Sequence, residues 1–479
     1  MWTGILIAAV VIAFLSVLLV RTFMFRPHVR APLRASETLT VDEDRVVESL
    51  RRMIRFKTVS NPDPQKVSKE AFEGFLDYLK ERYPLVHERA EVERVPPFGI
   101  LYRIKGKSAQ APSVLMSHYD VVPENGTWTH PPFSAHLEDG VITGRGTLDT
   151  KATLCAALEA AEQCLREAHL FENDLYLAFA GDEEVYGKSA KNMVEHFKKD
   201  GIRPKLVLDE GGAVVSDVFP GVKRPTAVVG LAEKGMMSIE LCAKDTGGHA
   251  SMPAKDTAVT RLSGAISELN GKRLFPLRLT PSVAKMFDTV ARESTSFVIR
   301  LIFANLWVFL PLVKWMAKRS GGQMLSMFKT TQAFTTLEGA EAMNVLPSRA
   351  KAGVNYRLIT GETSASVSER IAPVLARHGL EQKTVYAAEP TTVSLTDASF
   401  ETITNTIRET WPEAITTPYL MMAATDSRHY HDISDNVYRF SPLRMSKEDL
   451  QSIHGENESI AVDNFLDCVR FYVRLCRKL

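Results

Sequence analysis

Cysteine is scarce and unpatterned in this 479-residue chain. Five occur, at 155, 164, 242, 468 and 476, with no C-x-x-C pair. That excludes a disulfide framework and any structural zinc of familiar spacing, and it leaves the compartment open. A charge excess of one sign is also missing, because 58 Lys and Arg face 57 Asp and Glu. A net charge of +1 carries no general attraction to nucleic acid. The basic run "RRMIRFK" at 51–57 is a solvated helix face. Long apolar runs are confined to two places, and the remainder has an ordinary globular composition. The length is too great for one core and predicts two or three domains.

The first apolar run, Trp2 to Val20, holds nineteen residues without a charge. As a helix it reaches about 29 Å, enough to cross the hydrocarbon of a bilayer. A cleaved signal peptide is the rival reading. Against it, no Lys or Arg precedes the run and no clear A-x-A site follows. The reading is therefore a single-pass N-terminal membrane anchor at 1–22. Arg21, Arg26 and Arg30 follow it and favour a cytoplasmic side. The sequons at Asn125 and Asn457 matter only in a secretory compartment, so the side of the membrane stays open. Residues 23–41, with Pro and Arg and weak patterning, read as a linker. The second apolar run, Ser296 to Arg319, is broken by Arg300 and Pro311 and is a poor second span. It is either a buried helix or an interfacial one, with Trp307 and Trp315 at the water boundary.

Between these runs the pattern alternates. Strand-like "PSVLMS", "DLYLAFAG" and "PKLVLDEGG" are separated by helix-like "ATLCAALEAAEQCLREA" and "AKNMVEHFKKDG". This alternation predicts an α/β fold, a mixed sheet with helices on its faces. Ligands collect beyond the carboxyl ends of such strands, and there the polar residues fall. His118 and Asp120 end the first strand, and Asp182, Glu183 and Glu184 end the second. Asp209 and Glu210 end the third, and Asp149 precedes a helix starting near Lys151. Each alone is explained by a solvated turn or a helix N-cap. Together on one sheet edge they fit a polynuclear metal site, since imidazole and carboxylate suit zinc and two close dications need a bridging carboxylate. His454, in "SIHGENES", would supply a second imidazole.

The motifs "SHYDVVP", "GRGTLDTK", "GDEEVYG", "LDEGG", "GGHAS" and "IHGENE" occur in the order found in the dinuclear-zinc aminoacylase and carboxypeptidase family. The chain from about residue 42 resembles that family, most closely its carboxypeptidase S and N-fatty-acyl-amino-acid synthase/hydrolase branch. The resemblance implies two zinc ions per site, with cobalt or manganese as substitutes. One zinc would be held by His118 and Asp209 and the other by Glu184 and His454, with Asp149 bridging. Asp209 rather than Glu210 rests on family spacing. The resemblance further implies that Asp120 orients His118, that Glu183 is the catalytic carboxylate, and that His249 donates to the developing oxyanion. Asn344, Arg357 and Arg428 would hold substrate. Relatives often carry glycines before the Thr-Asp of "MAATDSRHY", where this chain has Ala423 and Ala424, so close main-chain contact with substrate is in doubt.

The family also inserts a smaller α/β lid of dimerisation type. The expected organisation is then a catalytic first part at 42–235, a lid at 236–361 and a catalytic second part at 362–479. The expected function is a zinc metallopeptidase or amidohydrolase, cleaving the amide of a C-terminal or N-acylated amino acid through a metal-activated water. An N-fatty-acyl-amino-acid hydrolase or synthase is the alternative, and a non-catalytic metal-binding protein a further one. The expected partners are a small peptide or N-acyl amino acid and a membrane met through the N-terminal helix, with 296–319 as a further contact. No nucleic acid partner is expected, and a homodimer is left open.

Overall fold

The computed structural model of the protein describes residues 2–27, 39–219 and 221–479. Most of the expected linker, residues 28–38, lies outside the described residues. The strands used below are β1 (Ala90–Val95), β2 (Gly99–Ile104), β3 (Ser108–His118), β4 (Asn173–Ala180), β5 (Leu206–Val215) and β6 (Thr226–Glu233). They continue with β7 (Gly235–Lys244), β8 (Thr331–Glu338), β9 (Arg349–Leu358), β10 (Leu380–Ala388), β11 (Ile415–Met421) and β12 (Val437–Met445). The helices are α1 (Trp2–Met24), α2 (Lys151–Arg166), α3 (Ala258–Gly271) and α4 (Pro281–Glu293). Beyond them come α5 (Phe297–Ala304), α6 (Leu306–Ser320), α7 (Ser364–His378) and α8 (Val462–Cys476).

Eight strands form a mixed sheet in the order β1-β2-β4-β3-β5-β12-β6-β11. β3 pairs in parallel with β4 and β5, and β5 with β12, so four carboxyl ends point the same way. The near-continuous apolar runs of these strands follow from burial on both faces. Leu115, Leu177 and Leu208 pack with α2 and α8, while Val114, Met116, Tyr176 and Val207 pack with Met193 and Phe197 on the other face.

A second sheet, β8-β9-β7-β10, is antiparallel and has its own core. Ile239 and Leu241 of β7 and Val354 and Tyr356 of β9 meet Leu262 of α3 and Ile371 of α7. The expected lid boundary at 361 is therefore moved. α7 and β10 complete the lid sheet because β10 pairs with β7 along its length, so the chain returns to the large sheet only after Ala388. Conversely, much of 276–330 leaves the lid: Val283, Met286, Phe287, Val313 and Phe328 pack against Ala232 and Leu420 at the β6–β11 edge.

At the hinge between the sheets, Glu233 accepts from Arg439 Nε at 2.6 Å and from Thr425 Oγ at 2.8 Å, both charges being fully buried. The guanidinium also donates to Val437 O. Removing one member of such a pair strands the other charge away from water, at a cost of about 3–5 kcal/mol. Glu233→Ala is thus expected to lower the melting midpoint clearly, and Glu233→Ala combined with Arg439→Met to recover part of the loss. Thermal unfolding of the two variants checks this, and equal midpoints for wild type and Glu233→Ala would refute it.

Candidate metal centre

His118 ends β3 and is almost fully buried. A buried imidazole needs partners on both nitrogens. Its Nδ1 lies 3.0 Å from the Asp120 carbonyl oxygen and 3.4 Å from Asp120 Oδ1. Nε2 lies 3.0 Å from Asp149 Oδ1 and 3.2 Å from Glu210 Oε1. The other oxygen of Asp149 is 2.9 Å from His454 Nε2, which is itself 3.1 Å from Glu184 Oε1. One carboxylate thus stands between two imidazoles, one oxygen to each. Donor atoms of His118, Asp149 and Glu210, and separately of Asp149, Glu184 and His454, lie within 4.8 Å of one another.

Each member is placed by its local chain. Asp120 accepts from the amides of Glu183 and Glu184 at 3.2 and 3.1 Å, which holds the short turn after β4 with both acids at the sheet edge. Asp182 accepts from the amides of Lys188 and Ser189 and closes the same loop. Asp149 is presented by the loop before α2, and that loop is tied to Glu458. The buried Glu458 carboxylate accepts from the amides of Gly146, Leu148 and Asp149 and from Arg145 Nη1. His454, four residues before it, adopts φ +61° and turns its half-exposed ring toward Asp149 and Glu184.

The acid beside His118 is Glu210, which corrects the expectation for Asp209. In the β5–β12 register Asp209 pairs with Arg439 and the next pair is Gly212 with Phe440, so Glu210 and Gly211 are extra residues on β5. A bulge of this kind re-aims a side chain. Gly211 takes φ +138°, and a Cβ there would meet Arg439 Cβ at 2.8 Å. Asp209 instead faces the loop after β11, where its Oδ2 accepts from the Ser427 amide at 2.9 Å. It is a loop anchor.

The electrostatics are those of acids crowded around two imidazoles. Burial pushes Glu210 up to about 8, with Asp149 adding to the effect. Burial likewise raises Glu183 well above the carboxylate range, reinforced by Asp426, Glu210 and Glu184 against the opposing pull of His118. For His118 burial disfavours the charge, yet Glu210, Asp120 and Asp149 hold the imidazole well above its usual value. Hydrogen bonds to Asp149 and then Glu184 push His454 up to about 10. A donor set of two imidazoles and three carboxylates arranged around one shared acid fits a pair of divalent ions.

Beside the cluster lies a cavity of about 550 Å³ lined by Glu183, Tyr186, Tyr386, Asp426, Arg428 and His429 among others. Arg428 donates through Nη2 to Glu389 O at 2.8 Å, while its Nη1 is buried without a partner. Arg357 lies on β9 opposite Met236, outside that lining. His249 and Asn344 are exposed neighbours on the lid, where the Ala250 amide donates to Asn344 O at 3.0 Å. Among the described residues no hydrogen bond or ion pair joins His249, Asn344 or Arg357 to the cluster. The sequence reading named Glu210 but chose Asp209, the bulge being unpredictable, and it missed Glu458, which stood in the "IHGENE" motif with no assigned role.

Fold and cluster together define a metal-dependent hydrolase of peptide or amide bonds. The chain belongs to peptidase family M20/M25/M40, whose model matches residues 114–478. It is 32% identical over 489 residues to a probable carboxypeptidase S-like 2 of Dictyostelium discoideum, covering 99% of this chain and 93% of that one. It is 30% identical to the N-fatty-acyl-amino acid synthase/hydrolase PM20D1 of Xenopus tropicalis, over 97% of this chain and 92% of the relative. The fold is similar to that of an M20 family metallo-carboxypeptidase from Sulfolobus solfataricus, with TM-score 0.65 at 18% identity and coverage of 91% and 99%.

Because His118, His454 and Glu210 are all held above their usual values and must be deprotonated to ligate, ion binding at pH 7 is expected to release on the order of two to three protons per site. Apparent affinity should therefore rise as pH rises toward the His454 value of about 10. Titrating zinc into weakly buffered metal-free protein with an indicator dye measures the release, and uptake without acidification would exclude these imidazoles as ligands.

Proposed function

We propose that this chain is a membrane-anchored exo-acting amidohydrolase with two zinc ions, which cleaves the amide of an N-acyl amino acid or of a peptide's C-terminal residue. The observation that carries the reading is the unpartnered buried Nη1 of Arg428 in the cavity that Glu183 also lines. A half-buried guanidinium with a free donor, lining the same cavity as a carboxylate base, suits a substrate carrying a carboxylate next to its scissile amide. His118, Glu210 and Asp149 would hold one ion, and His454, Glu184 and the same Asp149 the other, with cobalt or manganese as substitutes for zinc. When bound, the ions would supply Lewis-acid polarisation of the carbonyl and a lowered pKa for water.

The protein's own residues do the rest. Glu183 takes the proton of the attacking water and returns it to the leaving nitrogen. Asp120 fixes Glu183 and Glu184 through their amides and His118 through its ring. His249 and Asn344 are the lid's contribution to the oxyanion and the substrate, and Arg357 a second cation in reserve for the carboxylate. The name of the Xenopus relative, together with the apolar helices α5 and α6, favours fatty over short acyl groups. The amide step can run toward condensation when acid and amine are abundant.

The reading of α1 as a retained anchor has its own support. Asn305 Nδ2 donates to Leu18 O at 3.2 Å and to Thr22 Oγ at 3.1 Å, and Arg21 Nη2 donates to Ala304 O at 3.2 Å. A cleaved leader would remove the Arg21 cover of Ala304 O and leave Asn305 Nδ2 only its bond to Leu301 O.

Glu183→Gln keeps shape and loses the proton shuttle, so kcat is expected to fall about 10²–10⁴-fold with metal content unchanged. Amino-acid release together with metal analysis tests this, and activity within a factor of a few of wild type would refute the assignment. Arg428→Ala is expected to raise KM for N-acyl amino acids, at a cost of about 1.5–3 kcal/mol in kcat/KM. The corresponding amino-acid amides should be hydrolysed equally by wild type and variant. An equal loss on both substrates would remove Arg428 from carboxylate recognition.

A further inference from the structure

The second apolar segment does not form a straight helix. α5 and α6 meet at Asn305 with a bend of 112°. Such a break frees backbone groups, and in hydrocarbon those groups must be satisfied by protein. Here they are. Asn305 is fully buried, its side chain donating to Leu301 O within the elbow and to Leu18 O and Thr22 Oγ of α1. Its carbonyl accepts from the amides of Val308 and Phe309, and Arg21 covers the Ala304 carbonyl.

The contacts with α1 run in antiparallel order. Phe297 meets Phe23 at 5.8 Å between ring centroids, Asn305 meets Leu18 and Thr22, and Trp307 meets Phe14 at 5.9 Å. Phe14 precedes the end of α1, Met24, by ten residues. At 1.5 Å per residue that is about 15 Å, half of a hydrocarbon core about 30 Å thick. The charged groups sit at the two mouths of the elbow. Arg300 reaches back to Ser294 O at 2.7 Å, and Lys314, Lys318 and Arg319 gather near the end of α6, with the Arg319 guanidinium 5.8 Å from the Trp315 ring. The surface between the mouths is apolar and exposed at Phe297, Val298, Trp307, Leu312 and Met316.

We infer that Ser296–Arg319 is a re-entrant elbow, embedded to about half the depth of the bilayer core, the thickness of the one leaflet next to the catalytic body, and locked to α1 through Asn305. Its occupant is the lipid bilayer, because the exposed apolar face continues the exposed face of α1 and ends in an aromatic and basic rim suited to headgroups. The inference rests on α1 being a retained anchor. Two membrane elements fixed to each other would give the enzyme a set orientation on the bilayer, whereas a single helix followed by a linker would leave it free to swivel.

The test uses the full chain reconstituted in phosphatidylcholine vesicles carrying bromines shallow or deep along the acyl chain, with tryptophan fluorescence as readout. Trp2→Phe, Trp307→Phe and Trp315→Phe variants identify each contribution by difference, Phe being a conservative replacement. The Trp307 component is expected to lose most of its intensity to deep bromines, and the Trp315 component to shallow ones. Quenching of the Trp2 component while both elbow components keep full intensity in all vesicles would overturn the elbow. Failure of all three, with protein that does not float with the vesicles, would instead overturn the anchor on which it depends.

Discussion

The arrangement depends on a single carboxylate shared between two imidazoles. Asp149 offers one oxygen to His118 and the other to His454, two residues separated by most of the chain. Neither an imidazolium nor a carboxylate is stable alone at a buried sheet edge. The geometry survives because Glu458 holds the Asp149 loop through three amides and a buried arginine. Glu458 follows His454 by four residues, so one segment both supplies a ring and fixes the acid opposite it. Asp120 does the same for the other side, orienting His118 while pinning the amides of Glu183 and Glu184.

Around this centre the large sheet and the lid have separate cores. The lid has its own sheet and core and joins the large sheet close to Glu233, whose buried pairing with Arg439 and Thr425 makes that junction firm. Asp209 ties β5 to the loop bearing Thr425, Asp426 and Arg428, and so places Arg428 relative to Glu183 in the cavity that both line. The helices between α3 and β8, inserted in sequence within the lid, pack on the β6–β11 edge and meet α1 there. The apolar helices and the candidate metal centre are thereby built on the same sheet.

Much of this is legible along the chain. Apolar runs punctuated by acids and histidine predict strands ending at a metal site, because hydrophobic burial and metal ligation need different residues and the boundary between them is local. The motif order identifies the family, the 45% apolar content accompanies a two-sided sheet core, and the uncharged run at the N-terminus sets the length of α1. The choice between Asp209 and Glu210 is not legible. Adjacent acids on a strand face opposite ways, and only the bulge against β12 decides which meets His118. The role of Glu458 is equally hidden, since its partners lie some three hundred residues earlier.

Residue types, their local spacing and their order by themselves determine the fold class, the identity of the chemistry and most of the groups that perform it. Tertiary structure alone decides which acid completes each triad, where the lid begins and ends, and that a broken apolar segment folds against α1. Those outcomes depend on register, on long-range hydrogen bonds and on which buried groups find a partner, and none of these is a property of a short stretch of sequence.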